Sequence, residues 1–112
     1  MSVRVDERLN SLLLDYNLDV EQGEYTGQSE SYITFQIRTI PIGFADDAPE
    51  WEKYLIEIHL FGPLSSDLDA IAKNISAALF EDDFAFPTKW NADDKYHRHL
   101  ILETEYVEAV GV

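Results

Sequence analysis

Two stretches of strict alternation dominate the chain. In Ser31-Tyr-Ile-Thr-Phe-Gln-Ile-Arg38 the apolar residues Ile33, Phe35 and Ile37 share one side of an extended backbone, and in Glu52-Lys-Tyr-Leu-Ile-Glu-Ile-His-Leu-Phe61 the residues Tyr54, Ile56, Ile58 and Leu60 do the same. This pattern predicts two central strands of a sheet buried on one face. Residues 96–107 repeat it, with Leu100, Leu102, Thr104 and Tyr106 on one side, and predict a long final strand. Residues 84–90 predict a shorter strand, and Pro87 within it points to an edge position.

Helical spacing appears twice. Leu9, Leu12, Leu13 and Tyr16 form a stripe over residues 4–17, with Asp6 and Glu7 in the first turn, where carboxylates favour a helix start, and Asn17 as a stop. Leu68, Ile71, Ala72, Ile75, Ala78 and Leu79 form a second stripe to about Phe80. Gly62-Pro63 breaks the preceding strand, Ser65, Ser66 or Asp67 can cap this helix, and Glu81-Asp82-Asp83 places acid where the helix dipole disfavours it. Residues 18–21 form a short strand or a connection, and residues 22–31, with two glycines and no buried pattern, read as a mobile loop. The expected fold is α+β: an antiparallel-rich sheet of four strands, or five, with two helices packed on one face. At 112 residues the chain has room for one core, so residues 1–112 are read as one domain.

Between the central strands, residues 39–50 carry Pro41, Gly43 and Pro49, which argue against a regular ladder over most of that length. Ile40, Ile42 and Phe44 nevertheless make it more apolar than an ordinary exposed loop. Two outcomes are open: the segment folds back on the domain, or it is a contact surface for a subunit or partner, built from Ile40, Ile42, Phe44, Asp46, Asp47 and Trp51.

Charge changes the picture more than composition does. Acidic residues number 22 against 8 basic ones, a formal net charge of −14, spread over the whole length. Nucleic-acid affinity comes from Lys and Arg displacing counterions, so specific nucleic-acid binding is not expected. Acid at this density serves solubility, lines a wall to which DNA does not adhere, or imitates DNA as an inhibitor of a nucleic-acid enzyme. No apolar run approaches the ~20 residues of a membrane span, and the first residues lack the pattern of an export signal. The chain has no cysteine, hence no disulfide scaffold and no thiolate metal site.

Candidate chemistry is sparse. His97 and His99, two apart on a strand, point the same way; with Asp93, Asp94 and His59 on a neighbouring strand they have ligand types suited to zinc or iron, and would make a small metal-dependent enzyme if they converged. That pattern is compatible with a metal site but unspecific. Asp46-Asp47, Asp82-Asp83 and Asp93-Asp94 are too numerous for any one pair to stand out as general acid and base. Neither a phosphate-binding glycine loop nor a nucleophile elbow is present. No catalytic residue, metal ligand or cofactor is assigned.

Taken in order, Tyr32-Ile-Thr-Phe35, the acidic Ala45-Asp46-Asp47, the strand Tyr54-Leu-Ile-Glu-Ile-His-Leu-Phe61, a helix, and the closing Tyr96-His97-Arg98 resemble the tail-completion or tail-terminator proteins of long-tailed bacteriophages and prophages, over roughly residues 30–106. The resemblance implies a small α+β structural protein without catalytic activity. It would form a ring, commonly of six subunits, at the head-proximal end of the tail tube, stop tube growth and join the tube to the head connector. Its partners would be tail-tube and connector proteins, and its place the tail or neck of the virion after assembly in the bacterial cytoplasm. The chain departs from the family pattern at His59, where related chains often carry an acidic residue, and at Asp83, where glycine is common. A ring requires two unlike faces on each subunit, and the apolar segment is the candidate for one of them.

Overall fold

The computed structural model describes residues 4–46 and 48–110. Helix α1 spans Val5–Leu13 and tightens into a single 3-10 turn, Leu14–Tyr16, which ends at Asn17 in the left-handed region with φ 58°. Asparagine tolerates that conformation better than most residues, which is why the helix stops there. Five strands follow: β1 (Asp19–Gln22), β2 (Tyr32–Ala45), β3 (Ala48–Pro63), β4 (Thr88–Asn91) and β5 (His97–Ala109). Helix α2, Leu68–Glu81, lies between β3 and β4. Its start matches the expected cap, with the Asp67 carboxylate accepting the Ala70 N–H at 3.2 Å.

The α+β class holds, while the sheet differs from a four-stranded antiparallel one. Its order is β1-β2-β3-β5-β4, and β1 runs parallel to β2 while every other pair is antiparallel. A four-residue strand is about 13 Å long, so residues 23–31 can return the chain to the same end without a crossover helix. That loop is tied down rather than free. Tyr25 Oη donates to Asp19 Oδ2 at 2.7 Å, the Thr26 N–H donates to Glu21 Oε2 at 2.7 Å, and the Tyr25 ring stacks on Tyr32 at 3.8 Å.

The largest departure concerns residues 39–50. They continue the strands: β2 and β3 pair from Tyr32↔Phe61 to Ala45↔Ala48, a hairpin whose connection contains Asp46 at φ 50°. Positive φ is what a two-residue hairpin turn requires. The prolines do not break this ladder because each lies where its strand has an open edge. Beyond residue 35 no described residue pairs with the outer side of β2, and Pro49 lies past the last link to β5, the Val110 N–H to Glu50 C=O at 2.9 Å. Gly43 has φ 65°, and a Cβ there would come within 2.8 Å of Trp51 Cδ1. Glycine therefore serves both the backbone conformation and the indole laid against it.

The core lies between the helices and one face of the proximal sheet. Leu9 and Leu13 of α1 and Leu68, Ala72, Ile75 and Leu79 of α2 close over Ile33, Phe35, Ile56, Ile58, Leu60, Leu100 and Leu102. Arg8, in the middle of α1, ties it to the C-terminal end of α2. It donates to the Asp82 carbonyl at 2.7 Å and lies over the Phe84 and Tyr106 rings at 5.2 and 4.7 Å. Asp83 takes φ 69°, a left-handed conformation that glycine adopts most readily. Helical cover ends at Ile37, Tyr54 and Tyr106, all half-buried, and the hairpin continues beyond it as an arm. The molecule measures 53 × 26 × 26 Å, its length set by that extension.

Candidate interaction surface

Side chains on the sheet face away from the helices fall into rows fixed by the register of β2, β3 and β5. The first row is Tyr32–Phe61–His99, then Thr34–His59–Ile101, Gln36–Glu57–Glu103, Arg38–Leu55–Glu105, Ile40–Lys53–Val107 and Ile42–Trp51–Ala109. The proximal rows are aromatic and histidine-rich, the middle rows charged, and the last two mainly apolar.

The sequence candidates fall in the apolar end. Ile40, Ile42 and Trp51 lie on this open face, with Trp51 44% exposed. Phe44, 64% exposed, stands near the tip beside Asp46. Asp47 lies outside the described residues. Val107 joins them from β5, directly across Lys53 from Ile40. The helix-side face of the same arm is acidic: Tyr54 Oη lies 2.9 Å from Glu52 Oε2 and 2.8 Å from Glu108 Oε1. Burial, with these two carboxylates beside it, pushes the Tyr54 phenol well above its ordinary range. The arm is thus two-sided, apolar on the open face and acidic on the other.

The middle rows floor a groove of about 550 Å³. Gln36, Arg38, Leu55, Glu57, Glu103 and Glu105 line it, with Phe86 and Thr88 at its side. Lys53 pairs with Glu105 at 3.1 Å and the Trp90 indole N–H donates to Glu103 at 2.9 Å. Arg38 has no ion-pair partner among the described residues. A second exposed apolar group lies at the β4 edge, where Phe80 and Phe86 meet edge to face at 6.0 Å and Trp90 on β4 is also exposed.

Of the three histidines, two come together. His59 Nδ1 lies 2.7 Å from His99 Nε2, and His59 Nε2 lies 2.6 Å from Glu57 Oε1. His97 turns to Asp94, with Nδ1 3.6 Å from its carboxylate. Asp93 Oδ1 and Asp94 Oδ1 are engaged by the backbone, accepting the N–H groups of His99 at 2.7 Å and of Tyr96 and His97 at 2.7 Å each. Those bonds hold both carboxyls below their usual range, the backbone donors being the main cause. Among the described residues no group of three such side chains is arranged to hold a metal ion.

Sequence reasoning missed Val107 and the Phe80–Phe86 pair, and left open whether His59 meets His99. The last needed the register: both histidines occupy open-face positions on strands that pair, but only the pairing of His99 with Phe61 sets them diagonally adjacent.

No family model matches the chain, and no curated protein matches it in sequence. Sixteen solved chains do match. One, whose name states no activity, superposes with a TM-score of 0.69 over 96% of this chain and 91% of its own at 9% identity. At that identity the likeness is one of fold alone. No helix among the described residues is long and apolar enough to cross a membrane.

Proposed function

We propose that this chain is a structural assembly protein of a phage tail, capping the head-proximal end of the tail tube as a ring and joining it to the head connector. The observation that carries this reading is the arm. A hairpin that runs past the helices and exposes Ile40, Phe44, Trp51 and Val107 contributes little apolar burial within its own domain, and suits a neighbour in an assembly. The ordered motifs over residues 30–106 supply the class of assembly. A ring needs a heterologous contact, and the arm's open face and the Phe80–Phe86–Trp90 edge are its two unlike halves. The role is not enzymatic. The net charge of −14 suits a channel wall past which a genome moves without adhering.

The test is to add the protein to tail-tube protein polymerising in vitro and to measure tube lengths and ends by electron microscopy. Shorter tubes that carry an extra ring at one end are expected. Unchanged lengths and bare ends would refute the reading.

A further inference from the structure

The proximal rows of the open face hold a chain of contacts that the assembly reading does not use. Glu57, His59 and His99 are linked end to end by contacts of 2.6 and 2.7 Å. From His99 a ladder of rings runs back across the sheet. His99 stacks on Phe61 at 4.0 Å, Phe61 on Tyr32 at 4.7 Å, and Tyr32 on Tyr25 at 3.8 Å. His59 also lies against Phe61, at 6.1 Å. Tyr25 belongs to the loop of residues 23–31, so the histidines stand at one end of a stack whose other end is that loop.

We propose that His59 and His99 form an acid-sensitive latch that holds the 23–31 loop against the open face of the sheet. With both rings neutral the hydrogen bonds close without conflict: His99 Nε2–H donates to His59 Nδ1, and His59 Nε2–H donates to Glu57. This assignment of tautomers follows from the requirement that every close contact have one hydrogen and one lone pair. A first added proton is tolerated, because one lone pair remains between the facing nitrogens. A second removes it, leaving two N–H groups and two positive charges at a separation that had been a hydrogen bond. One ring must then swing out, and since both lie against Phe61, either movement withdraws support from the ladder.

The surroundings set the direction of this response. Glu57 on β3 faces His59; Asp93 and Asp94, in the turn between β4 and β5, face His99, with Asp93 partly offset by Arg98 at 3.1 Å. Tyr32 and Thr34 of β2 and Trp90 of β4 occupy neighbouring positions and add no charge, and His97 is engaged with Asp94. Burial and the adjacent His59 lower the His99 imidazole below its ordinary value of 6.5, against the opposing pull of Asp93 and Asp94. The latch is therefore closed at neutral pH and opens on the acid side of 6.5. The loop's remaining ties survive that window. Hydrogen bonds from Tyr25 and Ser29 hold the Asp19 carboxyl below its usual range, and those from Thr26 do the same for Glu21. Mild acid should loosen the loop without detaching it.

Amide hydrogen exchange on the full chain, expressed as protection factors to remove the intrinsic pH dependence, tests this directly. Protection over residues 24–30 should fall several-fold between pH 7.5 and 5.5, since the opened form takes up protons that the closed one refuses. His99→Gln, which keeps a hydrogen-bonding side chain but takes no proton, should make loop protection insensitive over that range, and His59→Gln should do the same. Imidazole nitrogen resonances of the unmodified protein should show the two rings titrating in separate steps. Equal wild-type protection at the two pH values would overturn the latch, as would an equal loss in both glutamine variants or two rings that titrate independently.

Discussion

The same two strands live in two environments. From Tyr32 to Ile37 and from Tyr54 to Phe61 their apolar alternation is buried under α1 and α2, and Ile33, Phe35, Ile58 and Leu60 are almost wholly withdrawn from water. From Ile40 to Ala45 and from Ala48 to Lys53 the ladder continues, skipping only Gly43, yet no described helix covers it and Ile40, Phe44 and Trp51 are exposed. The first half shows alternation used to make a core; the second shows it used to make a presented surface. Backbone pairing alone therefore does not distinguish folding from contact, and the neighbouring layer does. Exposed apolar side chains on a paired ladder are what the proposed assembly contact rests on.

This contrast can be tested by substitution. Ile58→Ala removes a fully buried side chain beneath the helices and should destabilise the fold by about 2–5 kcal/mol, read from urea or thermal unfolding. Gly43→Val sits in the arm, yet its cost should still be about 1–3 kcal/mol, because the positive φ and the Trp51 ring both refuse a branched side chain. Asp67→Ala deletes the α2 cap and should cost about 1 kcal/mol in the same assay. Trp51→Ser, at the apolar end of the open face, should change stability by under about 1 kcal/mol. A loss comparable to that of Ile58→Ala would dissolve the distinction between the two halves.

A pH series sharpens the comparison on the proximal open face. His99 has a lowered folded value, so below pH 6.5 the unfolded chain binds more protons than the folded one. The stability due to its neutral form is fully present above 6.5 and is lost as pH falls through the lowered folded value. Unfolding midpoints should decline over that window in the wild type and stay flatter in His99→Gln. A second decline is expected lower, below the ordinary carboxylate range, where Asp69 gives up the bonds from Arg98 and Lys89 that hold its carboxyl down.

The helices and the inward faces of the strands were legible from spacing alone, because Leu68 through Leu79 and the alternating strand positions report one-dimensional periods that burial enforces locally. The length of β2 and β3 was not. Pro41, Gly43 and Pro49 signal a break in any strand flanked on both sides, and are harmless here because each edge they leave unpaired is already open, which is a property of the whole sheet. The parallel β1 was equally hidden, since four residues carry too little pattern to reveal direction. Of the candidate surface, its identity as an exposed apolar segment at Ile40, Ile42, Phe44 and Trp51 was legible. Its construction as a two-sided arm was not, because the partner strand β5 and its Val107 enter from the far end of the chain.

The central claim is that the arm's open face serves assembly and not folding. The most direct measurement is the length distribution of tail tubes polymerised in the presence of an Ile40→Glu/Trp51→Glu double variant, alongside the wild-type chain and with the variant's unfolding curve recorded. A folded variant that leaves tubes as long and bare-ended as no addition, while the wild type shortens and caps them, is the expected result. A variant that caps tubes as well as the wild type would contradict the claim.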